Sequence, residues 1–419
     1  MTREIVPTGP VHARMRVPGS KSITNRALIC AALARGESVI SNASDSNDTG
    51  LMANGLNQMG VLARRNGDTL VVQGTGGTLH APKYPIPVGN AGTTLRFLMS
   101  LSALADGHVV FEGSERMGER PIDDLLIALR DVGVAAGRAE HGATYEVQGG
   151  TLEGGAVRMR GDKSSQFLSS LLMVAPFARR DVEITLEGKL TSASYVGITV
   201  EVMKAFGVEV RSSLQSYFVG TRTRYRPTEF VVESDASSAS YALGAAAIAG
   251  GEVVAEGVKS GSLQGDIGFK DVLKAMGCAI EEEAAGLKAR REGVLCGVDV
   301  DMNGMPDVVP TLAAVALFAS GKTRVRNVGH LRYKESDRLG SLAEELGKLG
   351  ARITLHDDGL EIDPVSLHGA QLDTHDDHRL AMSFALIGLR VPGVRVENPD
   401  CVTKSFPSFW KEFEKLYGR

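Results

Sequence analysis

The chain has 419 residues, more than one hydrophobic core usually supports, so two or three domains are expected. Hydrophobic residues make up 43% and charged residues 23%, a composition typical of a soluble globular protein. The formal net charge of -4 provides no general attraction for nucleic acid, and no apolar run is long enough to span a membrane or form a signal peptide. We therefore expect a cytoplasmic protein, or one from which a targeting segment has been removed.

The four cysteines, Cys30, Cys278, Cys296 and Cys401, lie far apart and form no CxxC pair. This spacing favours reduced thiols over a disulfide framework or a zinc site. Because the net charge is slightly negative, any anionic ligand needs cations that are gathered locally.

The first element is a turn followed by a helix, and its polar residues suit an anion. Residues 18–26 read Pro-Gly-Ser-Lys-Ser-Ile-Thr-Asn-Arg, and the apolar run 27–34 predicts a helix. The Ser-Lys-Ser part then lies at a helix N-terminus, where free N–H groups and the helix dipole attract negative charge. Lys21 adds a point charge and Arg26 a bidentate donor. The alternative is a serine cap with solvated charges.

Two later segments repeat this design. Residues 89–96 (Gly-Asn-Ala-Gly-Thr-Thr-Leu-Arg) place small residues before an apolar helix, where glycine lets a ligand approach the backbone closely. Residues 162–167 (Asp-Lys-Ser-Ser-Gln-Phe) begin a third helix with hydroxyl and amide groups. Taken alone, each segment also fits an ordinary turn or a helix cap.

Charged clusters characterise the second half of the chain. Residues 332–338 (Arg-Tyr-Lys-Glu-Ser-Asp-Arg) mix cations and carboxylates, a pattern that alone fits a solvated helix face. Residues 376–379 (Asp-Asp-His-Arg) precede the apolar helix predicted at 380–389, where unused charge would be costly. Asp307 stands at another apparent helix start. The histidine beside two aspartates lacks a third clustered ligand, so no metal site is expected.

A repeated pattern runs through the whole sequence. The upstream residues of each copy have helical spacing, and the glycine that follows stands where a helix ends. The glycines of the first five copies are 73, 74, 70 and 73 residues apart, at Gly60, Gly133, Gly207, Gly277 and Gly350. A weaker sixth copy, at Gly418, follows 68 residues later. A fixed period of about 70 residues indicates a repeated unit, although chance spacing of helix-ending glycines is the alternative.

Each copy continues with an extended stretch that has turn residues at its centre. The pairs Asn66-Gly67 and Asp358-Gly359 are hairpin signals. Each unit is therefore predicted to contain a helix, a glycine stop and a β-hairpin. Six units divide into two similar α/β domains, with the divide expected in the polar segment 221–227.

Several motifs keep one order along the chain: 18–26, 89–96, 116–121, 164–166, 234–239, 334–339, 377–379 and 403–407. Together they resemble the ordered signatures of the 5-enolpyruvylshikimate-3-phosphate synthase family, over nearly the whole sequence. The resemblance implies an α/β fold of two similar domains, each built of three βαβαββ units in an inverse α/β barrel-like arrangement, with the active site in the interdomain cleft. It also implies a domain at 14–233 that binds shikimate 3-phosphate. The other domain, 1–13 plus 234–419, would carry the phosphoenolpyruvate side and the catalytic carboxylates.

The resemblance implies an enzyme of chorismate and aromatic amino-acid biosynthesis. Such a transferase moves the enolpyruvyl group of phosphoenolpyruvate to the 5-hydroxyl of shikimate 3-phosphate and releases phosphate, by addition and elimination through a tetrahedral intermediate. The two substrates together bring roughly five to six negative charges, which explains the many cations. Glyphosate is the expected inhibitor. We expect a cytoplasmic monomer without cofactor or metal, and without nucleic-acid or membrane partners.

Individual roles follow from the same resemblance. Shikimate 3-phosphate would be bound by Lys21, Ser22, Arg26, Ser164, Ser165, Gln166, Ser192, Tyr195, Asp307, His330 and Lys334. Phosphoenolpyruvate would be bound by Lys21, Asn90, Gly92, Arg120, Gln166, Arg338, Arg379 and Lys404. The catalytic residues would be Asp307, Glu335, Lys21 and His378. Asp307 is expected to take the hydroxyl proton, and Glu335 with Lys21 to serve C3 of phosphoenolpyruvate.

Two positions depart from the family pattern, and two alternatives stay open. Phe97 stands where many members have proline, which bears on the response to the inhibitor, and His330 replaces a common asparagine in one shikimate contact. UDP-N-acetylglucosamine enolpyruvyl transferase shares the fold but typically has a cysteine in the loop that is 113–119 here, where this chain has none. A non-catalytic anion-binding paralogue would be expected to lack Asp307, Glu335 or Lys21.

Overall fold

The computed structural model describes residues 1–139 and 142–418, and residue contacts divide the chain into two compact units. The N-terminal unit is Gly19–Val232, and the C-terminal unit combines Met1–Pro18 with Glu233–Arg419. Within the described part of the chain, no helix has the length and apolar character that a membrane span requires.

Strands and helices alternate along both units. The strands are β1 (Thr2–Glu4), β2 (Val11–Arg16), β3 (Arg35–Ser41), β4 (Leu62–Asn66), β5 (Thr69–Thr75), β6 (Ile86–Gly89), β7 (His108–Gly113), β8 (Ala135–Arg138), β9 (Thr144–Gln148), β10 (Gly155–Arg160), β11 (Val182–Glu187), β12 (Arg211–Ser212), β13 (Ser216–Val219), β14 (Glu229–Val231), β15 (Gly251–Glu256), β16 (Cys278–Glu283), β17 (Gly286–Arg291), β18 (Asp299–Asp301), β19 (Thr323–Arg326), β20 (Arg352–His356), β21 (Gly359–Asp363), β22 (Gln371–Leu372) and β23 (Arg395–Glu397). The helices are α1 (Lys21–Leu33), α2 (Asn47–Gln58), α3 (Gly92–Leu101), α4 (Glu115–Glu119), α5 (Asp123–Asp131), α6 (Ser165–Val174), α7 (Ala193–Ala205), α8 (Ala236–Ala249), α9 (Phe269–Ala275), α10 (Val309–Ala316), α11 (Arg338–Lys348), α12 (His378–Gly388) and α13 (Phe409–Glu414).

The N-terminal unit contains three sheets of one topology. In the sheet β6-β7-β9-β8, the first two strands are parallel and β8 and β9 form an antiparallel hairpin. The sheet β10-β11-β13-β12 has the same arrangement. The sheet β14-β3-β5-β4 takes its first strand from the end of the unit, because β14 pairs in parallel with β3. The unit therefore ends after β14, beyond the polar segment 221–227.

The C-terminal unit also has three sheets, ordered β16-β17-β15-β2, β18-β19-β21-β20 and β1-β23-β22. Strand β2 pairs in parallel with β15, so the start of the chain completes the first of these sheets, and the expected boundary at residue 13 lies inside β2. The six small sheets confirm the predicted α/β fold class.

The repeated glycines end helices, as predicted. All six have positive φ, with values of 91°, 86°, 90°, 102°, 87° and 71° in chain order. After α2, Gly60 N bonds to Asn57 O at 3.1 Å and Val61 N to Leu56 O at 3.0 Å, which is the Schellman pattern. The period in the sequence therefore reflects a repeated supersecondary unit.

The two hairpin signals had different outcomes. Asn66 ends β4, and Gly67, with φ 61°, lies in the turn before β5. The other turn is formed by residues 357–358, and Gly359 is the first residue of β21. A β-carbon at Gly359 would lie 2.0 Å from Val325 O, so this glycine permits close strand approach rather than a turn.

Three buried helices lie at the centre of each unit. Helix α3 packs against α1 and α6, and α10 packs against α8 and α12. Helix α1 begins at Lys21, so the Ser-Lys-Ser segment lies at its N-terminus as predicted, ahead of the apolar run 27–34. Its polar residues Thr24, Asn25 and Arg26 are buried. The starts of α1, α3, α6, α10 and α12 carry the motifs identified in the sequence.

Candidate active site

Lys21 opens α1 and is paired with a carboxylate from the next helix. Its ammonium lies 3.0 Å from Asp48 Oδ2, and the two side chains are 12% and 4% exposed. Asp48 was missed in the sequence, because it reads as an ordinary first-turn acid after the Ser46 cap. The alternative of a serine cap at Ser20 is wrong, since the Ser20 side chain makes no capping hydrogen bond.

Arg26 is a fully buried cation that connects three helices. Its Nε donates to Thr199 Oγ1 at 2.7 Å, and its Nη2 donates to Tyr195 O at 3.1 Å and Ser169 Oγ at 3.3 Å. The guanidinium lies 5.2 Å from the ring centre of buried Phe97. Burial lowers the pKa of Arg26 to about 10, so the side chain stays charged at neutral pH. Phe97 therefore packs against Arg26, a residue that is expected to bind shikimate 3-phosphate.

A second group of expected ligands comes together at the start of α3. Arg96 Nη1 donates to Gln166 Oε1 at 2.5 Å, and Arg120 Nη1 donates to Asn90 O at 2.9 Å and to its Oδ1 at 3.0 Å. A β-carbon on Gly92 would lie 2.6 Å from Arg120 Nη2 and 2.7 Å from Arg96 Nη1. Glycine at position 92 therefore leaves room for both guanidinium groups.

The expected hydroxyl-bearing ligands of the N-terminal unit lie at three helix starts, and Ser22 is the second residue of α1. Ser164 caps α6 by accepting from Gln166 N at 3.3 Å, as the sequence predicts, and Ser165 beside it is buried. Ser192 directly precedes α7, is buried and has a left-handed φ of 55°. Tyr195 follows in the first turn of α7, and its carbonyl is a partner of Arg26 as described above.

In the C-terminal unit, Arg338 binds three carboxylates. Its Nη1 donates to Asp307 Oδ1 at 2.9 Å, its Nη2 to Glu335 Oε2 at 2.8 Å and its Nε to Asp377 Oδ2 at 2.7 Å. The Arg338 side chain is only 1% exposed, so the solvated helix face considered for this segment is wrong. Burial alone would lower the pKa of Arg338, but Asp377, Glu335 and Asp307 raise it above the ordinary value.

Asp307 lies between two arginines, at the 3₁₀ turn Pro306–Val308 that leads into α10. One oxygen accepts from Arg338, and the other accepts from Arg379 Nη2 at 2.7 Å. Burial alone would raise the pKa of Asp307, but Arg379, Arg338 and Lys334 lower it well below its ordinary value. Paired with these cations, Asp307 is ionised at neutral pH.

Asp377 organises the start of α12. It accepts from Arg379 N at 3.0 Å and from Ser336 Oγ at 3.1 Å, besides its bonds to Arg338. His378, the first residue of the helix, is buried, with Nδ1 3.6 Å from Asp377 Oδ1. The charged side chains just before this apolar helix therefore form hydrogen bonds and ion pairs within the fold.

The remaining expected ligands of this unit are His330, Lys334 and Lys404. His330 is 7% exposed, and burial together with nearby Lys334 lowers its pKa to about 3, so it is neutral at neutral pH. Lys334 directly follows the 3₁₀ turn Gly329–Tyr333, and its charge also acts on Asp307. Lys404 is half-buried at the end of another 3₁₀ turn, Pro399–Lys404.

Asp266 is a further carboxyl of the C-terminal unit that the sequence did not reveal. It is 2% exposed, and the Ser237 hydroxyl donates to its Oδ2. Burial and the charge of Asp307 raise the pKa of Asp266 to about 7, although Arg379 acts in the opposite direction. Its sequence context, Gln-Gly-Asp in a loop, looks like an ordinary turn.

One cluster of potential metal ligands occurs among residues 1–139 and 142–418, and it does not include Arg338, Arg379 or their carboxylate partners. Ligand atoms of Glu344, Glu345 and His375 lie within 4.8 Å of one another. The ammonium of Lys348 lies 2.8 Å from each oxygen of Glu345, so a protein cation already balances this carboxylate.

Buried guanidinium groups at the starts of internal helices, in an α/β fold of repeated units, define a protein that binds small anions carrying several charges. Comparisons with known proteins identify the class further. Residues 5–413 match the family model described as EPSP synthase (3-phosphoshikimate 1-carboxyvinyltransferase). The motif-based resemblance is thereby confirmed.

Individual relatives agree with the family model. The chain is 44% identical to the 3-phosphoshikimate 1-carboxyvinyltransferase of Methanoculleus marisnigri, covering 98% of this chain and 97% of the relative. It is 40% identical to the enzyme of the same name from Trichormus variabilis, over 98% and 97%. The solved EPSP synthase of Acinetobacter baumannii superimposes with a TM-score of 0.81 at 25% identity, over 99% of this chain and 98% of that one. This chain therefore belongs to the EPSP synthase family, a family of transferases.

Proposed function

We propose that this protein transfers the enolpyruvyl group of phosphoenolpyruvate to the 5-hydroxyl of shikimate 3-phosphate and releases phosphate. Family membership supports the reaction, and one structural observation carries the mechanism. Asp307 is an ionised carboxylate, 19% exposed, that is held between Arg338 and Arg379, at 2.9 and 2.7 Å. A proton acceptor thus lies directly beside two cations that suit an anionic substrate.

The ligands proposed for shikimate 3-phosphate include residues at the helix starts of the N-terminal unit. In that unit, the hydrogen bonds of Arg26 to Thr199, Ser169 and Tyr195 hold α1, α6 and α7 together, and the proposed hydroxyl ligands lie in the first turns of these helices or just before them. The proposed ligands are Lys21, Ser22, Arg26, Ser164, Ser165, Gln166, Ser192, Tyr195, Asp307, His330 and Lys334. Neutral His330 is proposed to serve as a hydrogen-bonding group, as the asparagine common at this position would.

Phosphoenolpyruvate is proposed to bind several arginine residues. Arginine forks suit phosphate and carboxylate groups because their donors match two oxygens at once. The cluster at Gly92 and the cluster at Asp307 each supply such groups. The proposed ligands are Lys21, Asn90, Gly92, Arg120, Gln166, Arg338, Arg379 and Lys404.

The proposed chemistry is an addition followed by an elimination. Asp307 takes the proton of the 5-hydroxyl as the hydroxyl oxygen bonds to C2 of phosphoenolpyruvate. At the same time, C3 gains a proton from Glu335 acting with Lys21. In the resulting tetrahedral intermediate, C3 returns a proton to Glu335, and the electrons of that C–H bond form the double bond to C2 as the bond from C2 to the phosphate oxygen breaks. The proton held by Asp307 passes to the departing phosphate. Phosphate leaves, and the enol ether remains on the shikimate ring.

The ion pairs with Arg338 and Arg379 make Asp307 a weak base. An anionic substrate that engages Arg338 and Arg379 would draw both cations away from this carboxylate. The pKa of Asp307 would then rise toward the value that a general base needs. His378, buried beside Asp377, is proposed to support the same reaction at the start of α12.

Product analysis tests the proposed function. Phosphorus NMR of purified protein with both substrates should show inorganic phosphate together with a new phosphate ester that carries a vinyl ether. Phosphate without the vinyl ether would mean simple hydrolysis and would reject the transfer. We also propose that the enzyme is cytoplasmic and monomeric, needs no metal or cofactor, and is inhibited by glyphosate. Sedimentation analysis tests the monomeric state.

A further inference from the structure

Glu345 is a buried carboxylate with no role in the reaction proposed above. It belongs to α11, and its side chain is 0% exposed, whereas that of its neighbour Glu344 is 61% exposed. Burying a carboxylate is costly unless hydrogen bonds compensate it. The groups that compensate Glu345 therefore indicate what it holds in place.

Two of its partners come from outside the helix. Besides Lys348 on α11, the backbone N–H of Asp373 donates to Glu345 Oε2 at 2.9 Å, and His375 Nε2 lies 3.0 Å from Oε1. Both residues belong to the segment 373–377, which joins β22 to α12. Glu345 thus ties this segment to α11.

The segment 373–377 adopts a conformation that depends on such contacts. His375 and Asp376 have φ values of 49° and 53°, in the left-handed region that residues other than glycine rarely adopt. Consecutive residues of this kind persist where the surrounding structure holds them. Asn398 Nδ2, 2.9 Å from Asp376 Oδ1, supplies one further contact.

Helix α11 holds the same segment at a second point. Arg338 and Glu345 are seven residues apart, so they lie on one face of the helix, about 10 Å apart along its axis. Arg338 binds Asp377, the last residue of the segment, at 2.7 Å. Asp377 accepts from Arg379 N at 3.0 Å, so the position of Arg379 depends on how this segment is held.

We propose that Glu345 is a positioning residue, which fixes the segment 373–377 on α11 so that Asp377 and Arg379 keep their places beside Arg338. This rests on the proposed function in one respect, that Arg379 binds phosphoenolpyruvate. Removing the carboxylate should loosen the segment and weaken phosphoenolpyruvate binding more than shikimate 3-phosphate binding. The competing interpretation is that Glu345 only pairs with Lys348 to stabilise α11.

Two variants and two controls separate these interpretations. Glu345→Ala removes all contacts, and Glu345→Gln keeps an oxygen acceptor for Asp373 N–H but loses the charge. Glu344→Gln changes the exposed neighbouring carboxylate, and Lys348→Met removes only the lysine partner. Each protein is examined by amide hydrogen exchange of peptides covering 373–377, and by KM for both substrates and kcat.

Glu345→Ala should exchange faster in 373–377 and raise KM for phosphoenolpyruvate about 10-fold or more, with KM for shikimate 3-phosphate changed about two-fold at most. Glu345→Gln should show the same effects to a smaller degree. Both controls should resemble the wild type. Unchanged exchange and unchanged KM in Glu345→Gln, or equal effects in Lys348→Met, would overturn the proposal.

If Glu345→Ala fails to fold, the hydrogen exchange and the KM values of Glu345→Gln test the positioning role instead. An inactive wild-type protein would reject the proposed function instead. The exchange measurement would still test the contact between Glu345 and the segment, because it does not depend on turnover.

Discussion

Arg338 and Asp377 form a bidentate ion pair whose side chains are 1% and 0% exposed. Arg338 Nε lies 2.7 Å from Asp377 Oδ2, and Nη2 lies 3.3 Å from Oδ1. Because Arg338 begins α11 and Asp377 caps α12, the pair joins the starts of two helices. One carboxylate thereby orients Arg338 and Arg379, the two arginines of the C-terminal unit that are proposed to bind phosphoenolpyruvate.

Asp377→Asn should destabilise the protein, because it leaves part of the charge of Arg338 without its partner. Breaking a buried pair by removing one member typically costs about 3–5 kcal/mol. Urea denaturation measures this loss in the free energy of unfolding. Asp376→Asn is the matched control, since Asp376 is exposed and asparagine tolerates its left-handed conformation. Equal, small effects of both substitutions would contradict a structural role for the pair.

Lys21→Met and Asp307→Ala should each reduce kcat by at least about 10²-fold, the usual contribution of a positioned proton-transfer group. Lys83→Met and Asp299→Ala, at exposed positions, are the matched controls. Circular dichroism should show that all four variants fold. A rate close to that of the wild type for Lys21→Met or Asp307→Ala would remove that residue from its proposed role.

Asp266 should make stability depend on pH near neutrality. Its pKa is raised from 3.8 to about 7 by burial and Asp307, so between these values the unfolded chain releases a proton that the folded protein keeps. Stability from this group is therefore present at low pH and is lost as the pH rises toward about 7.

Asp266→Asn removes this titration. The free energy of unfolding of the variant should therefore rise relative to that of the wild type as the pH increases from about 4 to about 7. Urea denaturation across this range measures the difference. Asp271→Asn, at a carboxylate that is 60% exposed, should show no such trend. A constant difference between wild type and Asp266→Asn would show that Asp266 does not titrate in this range.

Glyphosate should compete with phosphoenolpyruvate, because its carboxylate and phosphonate suit the same cations. Gly92→Ala should raise the inhibition constant more than the KM for phosphoenolpyruvate, since glyphosate is the longer molecule. The added methyl would meet Arg120 Nη2 at 2.6 Å, so some loss of substrate affinity is also expected.

Steady-state inhibition of wild type and Gly92→Ala measures both constants. Gly50→Ala is the control, because a β-carbon there has no atom within 4 Å. Inhibition that phosphoenolpyruvate cannot relieve would contradict a shared site, and equal changes in both constants would contradict the steric explanation.

The sequence predicted features that depend on local signals. Gly60 and its counterparts end helices because positive φ favours glycine, and this preference is visible at each position. The pairing of β14 with β3 joins residues about 190 apart in the chain, with no local pattern to mark it. The sequence therefore revealed the repeat, but not which strand completes each sheet.

The candidate site shows the same limit. Arg338 belongs to a charge run that looks exposed, yet it is buried. Asp307 and Asp377, from distant parts of the chain, neutralise it together with Glu335 of the same run. Asp48 pairs with Lys21 across 27 residues, and nothing in either local sequence indicates the partner. Partnerships of this kind require the folded chain.

The most direct test of the account is the rate of phosphate release by purified wild type and Asp307→Asn. With both substrates present, the wild type should release phosphate steadily, and omission of either substrate should stop the release. Asp307→Asn keeps the shape of the side chain but loses the base, so its rate should fall by at least about 10²-fold. Phosphate release from phosphoenolpyruvate alone, or an unimpaired Asp307→Asn enzyme, would contradict the account.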